Sequence, residues 1–311
     1  MVLAAERTKP ATLSRMGVPV PEGGPTSIWL QDAGLTWTAE KQPVVFMDGA
    51  GKLQEYPDRY ILERSDNCEP LSIVSDKYKI VQPLDAVNFA MDITQAIPGL
   101  KLVRGGSLLE GRRICLLAKY EDVGFLQGDE LARYIMFTTS YDLKKRTIVS
   151  QQSLRLICSN GMTVLEQGEN AFSRSHASEV DFAKVKGTMK MLDASWDRYI
   201  RDCEMFTETE AGDSEEYFMD VFYPKVKRKA KGFKLEAAKT KVDVLQQALL
   251  MGPGQQLTTC KGTVWGLLNA VTWFVDHRMS ARSTDQRYVR SLFGDGRKIK
   301  QRAYVLALEK V

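Results

Sequence analysis

Between residues 100 and 162, short apolar runs rich in β-branched residues recur at strand length, broken by glycine, aspartate and lysine. That pattern commits the middle of the chain to an antiparallel β-meander. Strands are expected at 101–104, 112–119, 133–139 and 146–157. Gly105-Gly106, the loop around Gly124 and Gly128, and residues 140–145 would join them, with a further turn at Asn160-Gly161. Arg104, Arg112, Arg113, Lys144, Lys145, Arg146 and Arg155 fall at the turns and strand ends. A sheet rimmed by cations, with no catalytic motif beside it, predicts a binding surface.

Around this sheet the pattern is helical or irregular. Residues 83–93 open on a proline at a permitted first-turn position and place Leu84, Val87 and Met91 at helical spacing, so a helix of about three turns is expected before Pro98-Gly99. From Ser178, the residues Val180, Ala183, Val185, Met189, Leu192, Trp196 and Tyr199 form one helical stripe, which predicts a long helix behind the sheet. Further helices are expected at about 235–251, 263–279 and 297–308, and short strands at 44–47, 60–62, 71–74 and 78–81. The fold class is therefore α+β, an antiparallel β-meander backed by a long helix, with a helical C-terminal region. Residues 1–25, rich in Pro, Gly and Ala, read as a flexible arm. Residues 26–205 form the α+β core, and 206–311 a basic linker with C-terminal helices packing on it.

Composition narrows the partners. With 311 residues and 44% hydrophobic residues, the chain can bury a substantial core. Its net charge of +4 suits an anionic partner but is far below that of a histone-like binder. Five cysteines, Cys68, Cys115, Cys158, Cys203 and Cys260, are scattered singly, which fits free thiols in a reducing cytoplasm, the expected cytoplasmic location. No apolar run has membrane-spanning length, so no membrane partner is expected.

The motifs of chemistry are missing. Asp48-Gly49-Ala50-Gly51-Lys52 lacks the first glycine of a phosphate loop and has Leu53 where a Ser or Thr would hold magnesium, so it reads as a hairpin turn. Neither His176 nor His277 lies near a nucleophile elbow, and no cysteine pair has zinc-ligand spacing. Glu204, Glu208, Glu210, Glu215 and Glu216 read as a solvated acidic loop. No metal, cofactor or catalytic residue is therefore expected. Residues 225–241 hold eight basic residues and one acidic one, Glu236, with Lys227, Arg228 and Lys229 in an expected loop that can reach a phosphate backbone. Tyr134, Tyr141, Phe222, Tyr223 and Phe233 lie beside basic residues and offer faces for stacking on bases, though core packing explains Phe222 at least as well. Strand-end arginines also solubilise sheet edges, and 225–241 also reads as a solvated helix face.

Four segments resemble one family in order along the chain. They are Tyr78-Lys79-Ile80-Val81-Gln82-Pro83; Gly105-Gly106-Ser107-Leu108 with Gly111-Arg112-Arg113; Leu154-Arg155-Leu156-Ile157-Cys158-Ser159-Asn160; and the run from Gly262 to Thr272 with Val275-Asp276-His277. Together they resemble the phage/plasmid-like proteins grouped as domain-of-unknown-function family 932. The resemblance implies a mobile-element or prophage setting and a role beside DNA maintenance. Asp142-Leu143-Lys144-Lys145-Arg146 departs from the family's usual Asp-Gly-Ser hairpin by adding charge. The layout of helix, antiparallel strands and long helix also resembles that of phage single-strand-annealing proteins, which form rings or filaments around DNA; no residue carries over from them.

The expectation from sequence is a non-enzymatic DNA-metabolism protein of a phage or mobile element. It would bind or anneal single-stranded nucleic acid, DNA in preference, and associate with copies of itself. The alternative is a protein–protein interaction factor that inhibits a host defence or replication protein through the same cations.

Overall fold

The computed structural model describes residues 13–21, 24–142, 147–164, 172–174, 182–224 and 234–311. Its centre is the antiparallel sheet. Strands β5 (Leu100–Leu108), β6 (Arg113–Leu126), β7 (Asp129–Ser140) and β8 (Thr147–Arg155) run in sequence order. The short β1 (Val18–Pro19) pairs with β5, while β9 (Asn160–Thr163) and β10 (Phe172–Arg174) both pair with β8. A second sheet, β2 (Ala39–Met47), β3 (Leu53–Arg64) and β4 (Pro70–Ser75), lies earlier in the chain. With the helices, this is the expected α+β class.

Alternation in the strands divides the core. Ile114, Leu116 and Ala118 face one way with Ile135 and Phe137, and pack with Trp29 of α1 (Thr26–Asp32) and Val87, Ala90 and Ile93 of α2 (Pro83–Ala96). Cys115 and Leu117 face the other way with Ala132, Tyr134 and Met136. They meet Leu13, Met16, and Tyr288 and Leu292 of α7 (Thr284–Phe293). Both faces of the sheet are thus covered along its middle. The far end, with Leu126, Leu131 and Met162, joins a helical core built by α3 (Phe182–Glu208), α4 (Ser214–Phe222), α5 (Leu235–Met251), α6 (Val264–Trp273) and α8 (Asp295–Leu308).

Several local expectations need correction. Gly105-Gly106 is no turn: both residues lie inside β5, opposite Leu116 and Cys115. Glycine is required there by close approach, since a Cβ on Gly105 would sit 2.9 Å from Leu116 and one on Gly106 3.1 Å from the Gly17 backbone. The segment that presses on β5 is part of the expected arm; Leu13 and Met16 are buried, so residues 13–19 are docked. Asn160-Gly161 starts β9 rather than turning the chain, and residues 78–81 are irregular rather than a strand. Of the acidic residues placed in a loop, only Glu210 lies between helices: Glu204 and Glu208 lie in the last turns of α3, and Glu215 and Glu216 in the first turn of α4 above the Asp213 cap. Asp48-Gly49-Ala50-Gly51-Lys52 is the expected hairpin turn, with Asp48 Oδ1 accepting from the Ala50 and Lys52 amides.

Candidate nucleic-acid interface

The expected phosphate contacts have separate fates. Lys144, Lys145, Arg146, Lys227, Arg228 and Lys229 lie outside the described residues, as does Phe233. Arg104 donates to the carbonyls of Met16 (2.9 Å) and Gly17 (2.8 Å), fastening the docked segment to β5. Arg112 is partly exposed and pairs with Glu69 at 3.4 Å. Arg113 is buried, pairs with Asp142 at 3.2 Å, and lies over the Phe293 ring. Arg155 is buried most completely. Arg113 and Arg155 therefore face protein, not solvent, because both sides of the sheet are packed. Of the expected stacking residues, Tyr134 and Tyr141 are core instead, and Phe222 takes its core-packing alternative; the Tyr141 hydroxyl donates to the Val81 carbonyl at 2.7 Å.

Arg155 is the hub of a buried centre. Its Nε donates to Asp129 Oδ1 (2.8 Å), and Nη2 lies 2.6 Å from Asp129 Oδ2. Trp265 Nε1 donates to the same Oδ2 at 2.9 Å, so α6 is tied to the β6–β7 turn. Nη2 also reaches the Gly254 carbonyl and Cys260 Sγ, both at 3.1 Å, while Nη1 points at Cys158 Sγ. Burial opposes the Arg155 charge, and hydrogen bonding to Asp129 together with the charge interactions with Cys158, Cys260 and Asp129 outweighs it, so its pKa is raised. Burial likewise pushes the Cys260 thiol up to about 11. Thiols so shifted are poor nucleophiles at neutral pH. The adjoining cavity, lined by Arg155, Asn160, Tyr199 and Trp265, has a volume of about 10 Å³, room for one water rather than a substrate. This centre is built to hold the sheet to the helices.

A second buried centre escaped sequence reading. Lys300 Nζ donates to Asp276 Oδ1 (2.7 Å), Ser291 Oγ (2.9 Å) and the Gly161 carbonyl (2.5 Å). Asp276 Oδ2 accepts from the Gly161 amide at 2.8 Å, and Ser291 Oγ donates to Asp276 Oδ1. Asp276 is carried by a π-helical turn (Phe274–Arg278) that ends α6, so the helix expected through residue 279 changes its winding where this carboxylate enters the core. Arg133 was missed too: it bonds Gln151 and pairs with Asp193 of α3 at 2.7 Å. Partners scattered from 9 to 139 residues away give a lysine or arginine no local signal.

The surface cations lie elsewhere. Residues 278–298 hold six Lys or Arg against Asp285 and Asp295. Arg278, Arg282 and Lys298 are exposed, and Arg290 and Arg297 partly so. Asp285 accepts from the Leu109 amide at 2.7 Å, which fixes the start of α7 to the β5–β6 turn. Arg290 donates to the Ser280 carbonyl, fixing the loop before α7. Beside them Trp273 and His277 stack at 5.5 Å with 15° between their planes, and the Arg278 guanidinium lies 5.3 Å from the Trp273 ring. This is a half-exposed aromatic and cationic edge. Arg113 ties the end of β7 to this edge, because its guanidinium touches both Asp142 and Phe293 at the end of α7.

An α+β protein with a sheet enclosed between helices, two buried ionic centres and a cationic helical edge is the class these features define. Over residues 70–293 the chain matches the family described as domain of unknown function (DUF932), and it belongs to that family. No curated protein and no solved structure matches the chain. No helix among the described residues is long and apolar enough to cross a membrane.

Proposed function

We propose that the protein binds single-stranded nucleic acid, DNA in preference, as a non-enzymatic DNA-metabolism protein of a phage or mobile element. The contact surface is the cationic segment 278–298, with Lys144, Lys145 and Arg146 as further phosphate contacts, rather than the face of the sheet. The observation that carries this reading is the Trp273–His277 stack with the Arg278 guanidinium against it, followed in the chain by the exposed Arg282. Phosphates need several cations within reach of one backbone, and bases need an aromatic face nearby; Trp273 and His277 supply one.

Fluorescence anisotropy with single-stranded oligonucleotides over a salt series tests it. Binding should weaken steeply with salt, and Arg282→Glu with Lys298→Glu should flatten the log–log slope by roughly 0.7 per lost contact. Charge reversal at Lys144, Lys145 and Arg146 should weaken binding about equally for all sequences. Absence of binding at low salt overturns the reading, and binding to an acidic host protein in nuclease-treated lysate would replace it.

A further inference from the structure

The residues ahead of α1 occupy a built seat on the sheet. Leu13–Arg15 form a single 3-10 turn, and Val18 and Pro19 pair with Gly105 and Arg104 of β5. Where the segment crosses β5, backbone meets backbone: Gly17 has φ of 62°, and a Cβ on it would lie 2.3 Å from the Gly105 carbonyl oxygen. Any other residue at Gly17 would lift the segment off the sheet. Leu13 and Met16 are buried with Tyr288 and Leu292 of α7. A Cβ on Gly161 would lie 3.5 Å from Leu13 Cγ and 4.0 Å from Asp276 Oδ2, so Leu13 also sits beside the π-helical turn. This strap is therefore wedged against the π-helical turn and α7, from which the cationic segment 278–298 is built.

Between the buried Leu13 and Met16, Arg15 is exposed. Among the described residues no carboxylate pairs with it. The enclosed cations differ: Arg104 donates to the Met16 and Gly17 carbonyls, and Arg155 and Lys300 each have an aspartate. Arg15 lies on the α7 side of the strap, since burial pushes the Tyr288 hydroxyl up to about 12 against the nearby charges of Arg104 and Arg15. Resting on the nucleic-acid reading above, we infer that Arg15 is a further phosphate contact, which the docked strap holds beside the segment 278–298 as part of one surface. A guanidinium offers a fork of donors to phosphate oxygens. The glycine crossing and the two buried neighbours fix its backbone before a ligand arrives, so less freedom is lost on binding than from a loose arm.

Anisotropy of the full chain with a single-stranded oligonucleotide over a salt series reads this contact. Arg15→Gln should flatten the log–log slope by roughly 0.7 and weaken binding about fivefold at about 0.1 M salt, with an unchanged urea midpoint. Arg15→Lys should keep the wild-type slope, because the contact is one of charge. Gly17→Ala leaves Arg15 in the chain but unseats the strap. It should lose at least the same fivefold, and adding Arg15→Gln to it should cost less than about twofold more. If the Gly17→Ala chain fails to fold, Arg15→Gln alone decides, since truncating an exposed side chain leaves the fold intact. A wild-type slope in Arg15→Gln overturns the inference and leaves the nucleic-acid reading standing. An equal loss from Arg15→Gln in both backgrounds overturns the part played by the docked strap. A wild type that binds no oligonucleotide at low salt overturns both.

Discussion

Arg155 and Arg282 are the same residue type put to opposite uses. Arg155 is 2% exposed and spends its donors on Asp129, Gly254 and Cys260. Arg282 is exposed in the loop before α7. Lys300 and Lys298, two residues apart on α8, repeat the contrast: one is enclosed by Asp276, Ser291 and Gly161, the other faces water. Cations in this chain are sorted by whether a carboxylate waits inside. An enclosed cation deprived of its partner costs far more than an exposed one removed, and that asymmetry can be measured.

Asp129→Ala should cost most. It leaves the Arg155 charge buried and Trp265 Nε1 without its acceptor, a loss of about 3–5 kcal/mol expected from the shift of the urea midpoint. A loss under about 1 kcal/mol would mean that Arg155 escapes to solvent, and the division between inner and outer cations would fail. Lys300→Met comes next, at about 3 kcal/mol, because Asp276 keeps the Gly161 amide and the Ser291 hydroxyl as donors. Asp276→Asn in the same assay separates loss of charge from loss of shape.

The thiols sharpen the same contrast by pH. Burial holds Cys115 up to about 12 and Cys260 up to about 11, against an ordinary 9.0. A raised folded pKa favours the protonated folded state, so this stability is intact below pH 9. It is lost as pH climbs through about 11 and 12, where the folded thiols also ionise. Urea midpoints should therefore fall on the alkaline side. At pH 8 the exposed Cys68 should react with a thiol reagent, while the four buried cysteines react only on unfolding.

The sheet was legible from its strand-length apolar runs: β5 to β8 overlap the expected strands, although β5 runs on through Gly105-Gly106 and β6 through Gly124, where connections were expected. Its enclosure was legible in part. The β7 run Leu131-Ala132-Arg133-Tyr134-Ile135-Met136-Phe137 is nearly continuous in apolar residues, the mark of a strand buried on both faces. The charges at its neighbours' ends drew attention to a surface instead. Helix α7 was hidden by its own arginines, although Tyr288, Val289, Leu292 and Phe293 keep helical spacing between them. The partners of Arg155 and Lys300 were illegible: Asp129 and Asp276 lie 26 and 24 residues away at no helical or strand spacing, and Trp265, 136 residues from Asp129, meets it only through the fold.

The smallest effect on stability is expected at the outer cations, and it sets the limit of the comparison. Arg282→Gln with Lys298→Gln removes two exposed charges from a segment whose fixing contacts, Asp285 to Leu109 and Arg290 to Ser280, stay in place. The urea midpoint should correspond to a change within about 0.5 kcal/mol. Like charges crowded along 278–298 repel one another, so the sign should tend toward stabilisation at low salt and vanish as salt screens them. If the pair instead destabilises by several kcal/mol, these side chains are structural like Arg155. If stability holds while oligonucleotide affinity falls, their retention is explained by what they bind rather than by what they hold together.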